Sequence, residues 1–330
     1  MANANEKITD QVKTKLAEIS EAIRSGSASA EDFQMPFGGL TGSPHNVDTG
    51  HHATGSNALL CWIYGVSHYS TYDGWLRVGY QVTTPADFHL VKPKPVTYER
   101  ENAQTGETET HTFCRFSSFP VWSAASVTLR TAESDAKTQA AWNARAARTG
   151  KPAKELPPMP EKPWSPPVVE RRPDVELQQE VKQYLANTGA AVNWIDGDRA
   201  CYTPSLDEIT LPLPDRFRDT KTATAAQNLA STALHELGHW TGHSSRMNRK
   251  LSQERKAYSQ EELIAEGISA ILCARLGVES TMRMDHAQYI ASWLQALGND
   301  HNFIFNSGAH IAKAIEYLDA LQPTQLDQAA

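Results

Sequence analysis

Apolar residues recur every three to four positions near the start of the chain, at Ile8, Val12, Leu16, Ile19 and Ile23, which predicts an amphipathic helix over residues 6–24. The next stretch, FQMPFGGLTGSPHNVDTGHHATGSN (33–57), has no such period and is rich in Gly, Pro, Ser and Asn, so it reads as a long loop. ALLCWIYGV (58–66) is apolar on all sides, a buried helix with a buried strand as the alternative. From Trp75 to Val127, β-branched and aromatic runs alternate with turn residues, in LRVGYQV, FHLVKPKPVTYER and ETHTFCRFSSF, and NAQTGE (102–107) suits a hairpin tip.

Residues 132–150 are rich in Ala and Arg and predict a helix. Eight prolines follow between Pro152 and Pro173, a density that stiffens a chain and excludes helix and central strand, as in an interdomain linker. Beyond it come a helix from Val175 to Thr188, a strand pair within VNWIDGDRACYTPSLDEITLP, and then mostly helices. The pattern is α+β: an N-terminal α+β domain (1–130), a helical and Pro-rich linker (131–173), and a mostly helical C-terminal domain with a small sheet (174–330).

Composition narrows the setting. No apolar run approaches the ~18 residues of a membrane span, and the first twenty residues hold no apolar signal core, so neither export nor a membrane partner is expected. Cys61, Cys114, Cys201 and Cys273 lie far apart with no CxxC pair, which suits a reducing cytoplasm. The formal net charge is −7, and residues 1–130 carry 10 Lys and Arg against 13 Asp and Glu, so no basic half is hidden there.

The chemistry concentrates in STALHELGHWTGHSS (231–245). On a helix His235 and His239, at i and i+4, leave one face a turn apart, the geometry for chelating one Zn2+. Glu236 follows the first histidine and is placed to act as a base toward a metal-bound water. His243 stands eight residues from His235, ~12 Å along a regular helix, too far to share the ion, and is assigned a place behind the ligands or on the surface. The third ligand is sought in YSQEELIAEGISAILCARLG (258–277), whose helical period runs through Leu263, Ile264, Ile268, Ile271 and Leu272. Glu262 and Glu266 are i and i+4; the first is assigned to the metal and the second to orienting a ligating histidine, with the reverse left open. Glu261 points ~100° away and is expected in solvent. Tyr258, one turn before Glu262, is the choice for an oxyanion donor, and CYTPSLDEITLP (201–212), in which EITL alternates and ends at Pro212, for the strand edge that pairs with an extended peptide.

Three blocks, YTPSLDEITLP (202–212), TALHELGHWTGHSSRMNR (232–249) and YSQEELIAEGISAILCARLG, resemble the ArdC-type antirestriction proteins of plasmids and phages. More loosely, PHNVDTGHHATGSNALLCW resembles that family's loop leading through an Asn into an apolar helix, and WLRVGYQV and FCRFSSFPVWSAASV resemble its later strands. The resemblance implies an N-terminal single-stranded-DNA-binding domain joined to a C-terminal zincin-like metallopeptidase domain. It carries over His235, Glu236, His239 and one of the two glutamates, with Zn2+ as cofactor, single-stranded DNA as partner, and protection of incoming DNA from host restriction as function.

The family's Gly- and Lys-rich basic turn is missing; TTPADFHLVKPKPV offers only Lys92 and Lys94, and a shallow salt dependence is expected. Asn46, Asn57, Arg77, Lys92 and Lys94 are the choices for phosphate or base contacts, with Trp62 and Trp75 among the aromatics that could stack on bases. The alternative is a cytoplasmic zinc-dependent peptidase whose N-terminal domain recognises protein, whether a peptide substrate or a restriction enzyme.

Overall fold

The structure is a computed structural model that describes residues 4–25, 43–101, 108–167, 173–220, 223–249, 255–278, 286–300 and 302–323. Helix α1 (Ala4–Arg24) buries Ile8, Val12, Leu16 and Ile19 as its period requires. The first part of the expected loop (33–42) and the hairpin tip (102–107) lie outside the described residues. After β1 (His45–Asn46), the apolar segment is a helix, α2 (Gly55–Tyr64), closed by Gly65 in the left-handed region. β2 (His68–Ser70), α3 (Tyr72–Arg77) and β3 (Tyr80–Val82) lead into a long hairpin of β4 (Phe88–Glu101) and β5 (Thr108–Ser123), followed by β6 (Val127–Leu129).

The main sheet has the order β1-β2-β5-β4, with β1 parallel to β2 and the other pairs antiparallel; β3 pairs with β6 apart from it. β4 is an edge, which is why it tolerates Pro93 and Pro95. Helix α4 (Ala132–Thr149) follows, then the Pro-rich segment, then α5 (Asp174–Thr188). The sequence suggested a strand pair next; the structure has three strands, β7 (Ala191–Ile195), β8 (Cys201–Thr203) and β9 (Glu208–Pro212), in the order β7-β9-β8. Among the described residues four helices follow: α6 (Ala225–Trp240), α7 (Arg255–Leu276), α8 (His286–Asn299) and α9 (Phe303–Ala320).

Two features bear on how the halves relate. A single apolar core runs from α1 and α2 through the base of the hairpin to α6, α7, α8 and α9. α2 lies so close to α9 that a Cβ on Gly308 would sit 2.4 Å from the Ser56 backbone nitrogen, an approach only glycine permits. The prolines from 152 to 167 also do more than space two domains. The Trp164 N–H donates to the Val78 carbonyl (3.0 Å), Tyr80 Oη donates to the Trp164 carbonyl (2.8 Å), and the Trp164 ring stands edge-on to Trp75. This segment is a strap bound to α3 and β3, and residues 168–172 beyond it lie outside the described set. Among the described residues, no helix is long and apolar enough to cross a membrane.

Candidate metal centre

Helix α6 starts at a capping box: Thr224 accepts from the Gln227 N–H, and Gln227 accepts in return from the Thr224 N–H. Its buried side, Leu229, Ala230, Ala233, Leu234 and Leu237, faces the core, and His235 and Glu236 are buried with it. α7 crosses α6 closely because residue 238 is glycine: a Cβ there would lie 2.9 Å from Ala265 Cα. That contact sets the acids of the first turns of α7 against the two histidines.

The ligand atoms of His235, His239 and Glu262 all lie within 4.8 Å of one another. The two Nε2 atoms are 3.2 Å apart, and the Glu262 oxygens lie 3.6 Å from each of them. Behind the histidines stand two more carboxylates. Glu266 Oε1 is 2.8 Å from His235 Nδ1, and Glu261 Oε1 is 3.3 Å from His239 Nδ1. Each imidazole thus turns Nε2 inward while its Nδ1 faces an acid, the arrangement that fixes a ligating histidine.

The expectation for Glu261 is overturned. It is 6% exposed, and Arg249 clamps it with two donors at 2.8 and 2.7 Å. Arg249 also donates to Thr241 Oγ1 and to the Gly238 carbonyl, both at 2.8 Å. The 100° angle between Glu261 and Glu262 is real, but α6 and the turn after it cover both directions, so neither side chain meets solvent. Burial pushes the Glu261 carboxyl up, yet Arg249 and His239 outweigh it and hold it below the usual range.

Four buried carboxylates (Glu236, Glu261, Glu262 and Glu266) therefore surround two imidazoles and one guanidinium. That surplus of negative charge fits a divalent cation, and two imidazoles with a carboxylate are a donor set such ions accept. Burial would lower the His239 pKa, but Glu261, Glu262 and Glu236 outweigh it and push it up to about 9.

Glu236 Oε2 accepts a 2.8 Å hydrogen bond from the backbone N–H of Tyr202. Within CYTPSLDEITLP the structure separates two strands: EITL is the central strand β9, and the edge that meets α6 is β8. The Tyr202 side chain anchors that edge from its other end. Its Oη donates to Asp207 (2.8 Å) and accepts from Arg246 (3.3 Å), while Arg246 pairs with Asp207 and lies 3.8 Å over the Trp240 ring.

His243 falls outside the ligand group. α6 ends at Trp240, and the His243 ring meets Ser245 Oγ at 2.8 Å and lies 3.9 Å from Asp207. Tyr258 sits in the first turn of α7, 43% exposed, one turn before Glu262.

The N-terminal choices divide sharply. Asn46 is taken up by its own turn, accepting from the Asp48 and Thr49 N–H groups and from Ser70 Oγ. Asn57 reads the backbone of β4 from both sides at Val91, at 2.9 Å each way. Trp62 is buried against Trp293, and Trp75 is fully buried with its indole N–H on the Trp122 carbonyl. These four, the expected DNA contacts, are each engaged within the fold, because a polar or aromatic residue in a small domain is first claimed by internal partners. Arg77 is half-exposed but held by Asp48, and Lys92 and Lys94 are exposed on β4.

Arg249, Arg246, Asp207 and Tyr202 were not singled out from sequence. The SSRMNR run after the helix was the available signal, two arginines three apart beside a site full of acids.

Residues 179–310 match the zincin-like metallopeptidase family MPTase-PolyVal, and such a domain implies a metal. Protein y4eC of Sinorhizobium fredii (strain NBRC 101917 / NGR234) is 28% identical over 328 residues, covering 95% of this chain and 94% of its own length. DNA primase TraC of Escherichia coli is 36% identical over 165 residues, 49% of this chain but only 15% of the primase. The metal-free crystal structure of antirestriction protein ArdC from plasmid R388 superposes with a TM-score of 0.58 at 26% identity, covering 94% of this chain and 97% of that one. Its Mn(II)-bound form superposes with a TM-score of 0.59 at 24% identity, covering 97% and 98%.

Proposed function

The chain is ArdC-like in fold along nearly its whole length and zincin-like in its C-terminal part, and from that premise we propose that it is an antirestriction protein of a mobile element. In this reading it binds single-stranded DNA, holds one divalent metal, and protects incoming DNA from host restriction. The observation that carries the metal-dependent part is the convergence of His235, His239 and Glu262 with Glu236 beside them. Zn2+ suits the donor set, and Mn2+ is the ion named for the R388 protein.

His235, His239 and Glu262 would hold the ion, with Glu266 and Glu261 fixing the imidazoles. When bound, the ion supplies Lewis-acid activation of water and of a carbonyl oxygen. Glu236 is the base: its carboxylate takes a proton at Oε and returns it to a leaving amine. β8 is the sheet edge that borders Glu236, and Tyr258 supplies a hydroxyl donor from the first turn of α7.

Transfer of unmodified plasmid DNA into a restricting host tests the biological reading. Expression of the chain should raise transfer efficiency, and equal transfer with and without it would end that reading. Glu236→Gln, measured beside the wild type for metal content and for cleavage of a quenched peptide library, tests the chemistry. The variant should keep its metal and lose cleavage.

One observation favours a second reading, a zinc-dependent peptidase whose N-terminal part recognises protein. Asn46, Asn57, Trp62 and Trp75 are all engaged within the fold. Absence of single-stranded-DNA binding together with peptide cleavage would establish it.

A further inference from the structure

Ion pairs take up most of the described arginines, and helix α4 is an exception. Most arginines whose side chains are described are matched to a carboxylate: Arg77 to Asp48, Arg130 to Asp135, Arg216 to Asp196, Arg246 to Asp207, Arg249 to Glu261 and Arg275 to Asp319. Arg145 and Arg148 on α4 have no such partner among the described residues, and neither do Lys137 on the same helix or Lys151 just past its end. From Ser134 to Lys154 the chain has five Lys and Arg and a single acid, Asp135, which Arg130 already holds. A chain with a net charge of −7 has therefore gathered a compact positive surface where α4 ends.

Packing does not account for the helix. Thr138 is its only buried residue, and Lys137, Arg145, Arg148 and Lys151 are all exposed. The helix forms because Ala fills its interior, a capping box of Thr131 and Ser134 starts it, and Gly150 in the left-handed region ends it. At 100° per residue, Lys137, Arg145 and Arg148 fall within a narrow arc. Asp135, Gln139 and Trp142 lie on the other side, toward the strap. There Gln139 donates to the Lys154 carbonyl (2.8 Å) and accepts from the Leu156 N–H (3.1 Å), and Arg130 bridges Asp135 and the Pro157 carbonyl. The strap thus holds α4 by one side and leaves its cationic side toward solvent.

We propose that the cationic side of α4, with Arg145, Arg148 and Lys151 as its principal contacts, is a binding surface for the phosphate backbone of single-stranded DNA. This assignment rests on the antirestriction reading for the identity of the partner. It moves the DNA contact away from the residues first chosen for it and into the segment that the sequence pattern marks as a linker. Guanidinium groups suit phosphate because they donate in a planar fork. Among the described residues of this helix the one aromatic side chain, Trp142, is on the strap side and half-buried under Lys154, so the surface offers charge without a stacking platform. Binding here is therefore indifferent to base sequence and weakened by salt in proportion to its few phosphate contacts.

The test is fluorescence anisotropy of a labelled oligo-dT 20-mer with the full chain, titrated at several salt concentrations. Each phosphate contact contributes about 0.7 to the slope of log affinity against log salt for single strands. The triple variant Arg145→Ala, Arg148→Ala, Lys151→Ala should lose about ten-fold in affinity at moderate salt and flatten the slope by roughly 2. Arg145→Lys with Arg148→Lys should retain the slope, which separates charge from helix stability. Lys92→Ala with Lys94→Ala should change little. Unchanged binding by the triple variant, or a larger loss in the Lys92 and Lys94 variant, overturns the assignment while leaving DNA binding standing. No binding by the wild type at low salt overturns DNA binding itself. Competition by polyglutamate as effective as by unlabelled oligo-dT would replace nucleic acid with an acidic protein as partner.

Discussion

Two regions of this molecule handle charge in opposite ways. Between α6 and α7 the side chains of the centre are each held by a neighbour: His235 by Glu266, His239 by Glu261, Glu261 by Arg249, and Glu236 by a backbone N–H. On α4 the cations are exposed and unmatched. The difference follows from what each could bind. A small ion is held by a few donors fixed in place, so the donors need partners that hold them. A polyanion is attracted by charge that remains in water, so those side chains need freedom and the absence of nearby acids.

The largest effect should come from removing a donor. His235→Ala or Glu262→Ala should take the protein from about one metal per chain to none after dialysis, read by elemental analysis. A full complement in either variant would break the account of the centre. No substitution on α4 should touch metal content.

The next largest separates the regions by stability. Arg249→Met leaves Glu261 buried without its cation, and breaking such a pair costs about 3–5 kcal/mol. Arg148→Ala, on the exposed helix, should stay within roughly 0.5 kcal/mol. Denaturant unfolding of both variants checks this, and similar midpoints would erase the contrast. Smaller again is Glu266→Gln, which keeps the fold and the three donors but loosens the ring of His235. Its metal affinity should fall about 10- to 100-fold in a chelator competition.

Much of the centre is legible in sequence because helix geometry is local. The spacing of His235 and His239, the period of α7 and the placement of Glu262 need only 3.6 residues per turn. What that spacing does not carry is which face of α7 is covered. Glu261 reads as solvated until the loop after α6 brings Arg249 back over it. Nor does alternation say which part of CYTPSLDEITLP is the edge: EITL alternates, yet β8 turns back over it and leaves β9 in the middle. In the N-terminal half, Asn57 and Trp75 look like binding residues because residue type alone does not tell a ligand contact from a hydrogen bond to the protein's own backbone. The basic end of α4 is legible in composition, with five Lys and Arg against one acid from Ser134 to Lys154, but its exposure is not.

The smallest effect concerns a buried group outside both regions. His68 is 7% exposed, with its Nδ1 at 2.9 Å from Ser67 Oγ and its ring 4.8 Å from that of His45 and 5.3 Å from that of Trp164. Burial, and then repulsion from His45, lower its pKa to about 4 from the ordinary value of 6.5. Between those values the unfolded chain takes a proton that the folded chain refuses. Stability therefore falls as pH drops from about 6.5, and the decline from this group fades once pH passes below about 4. His68→Phe removes the titration, so its unfolding temperature plotted against pH should be flatter than the wild type's across that window. Metal-free protein is the material for this comparison, because acid also releases metal from the centre and would hide the difference. Parallel curves would mean that His68 is protonated in the fold. The edge-to-face packing of His45 on His68 would then have to accommodate a charge.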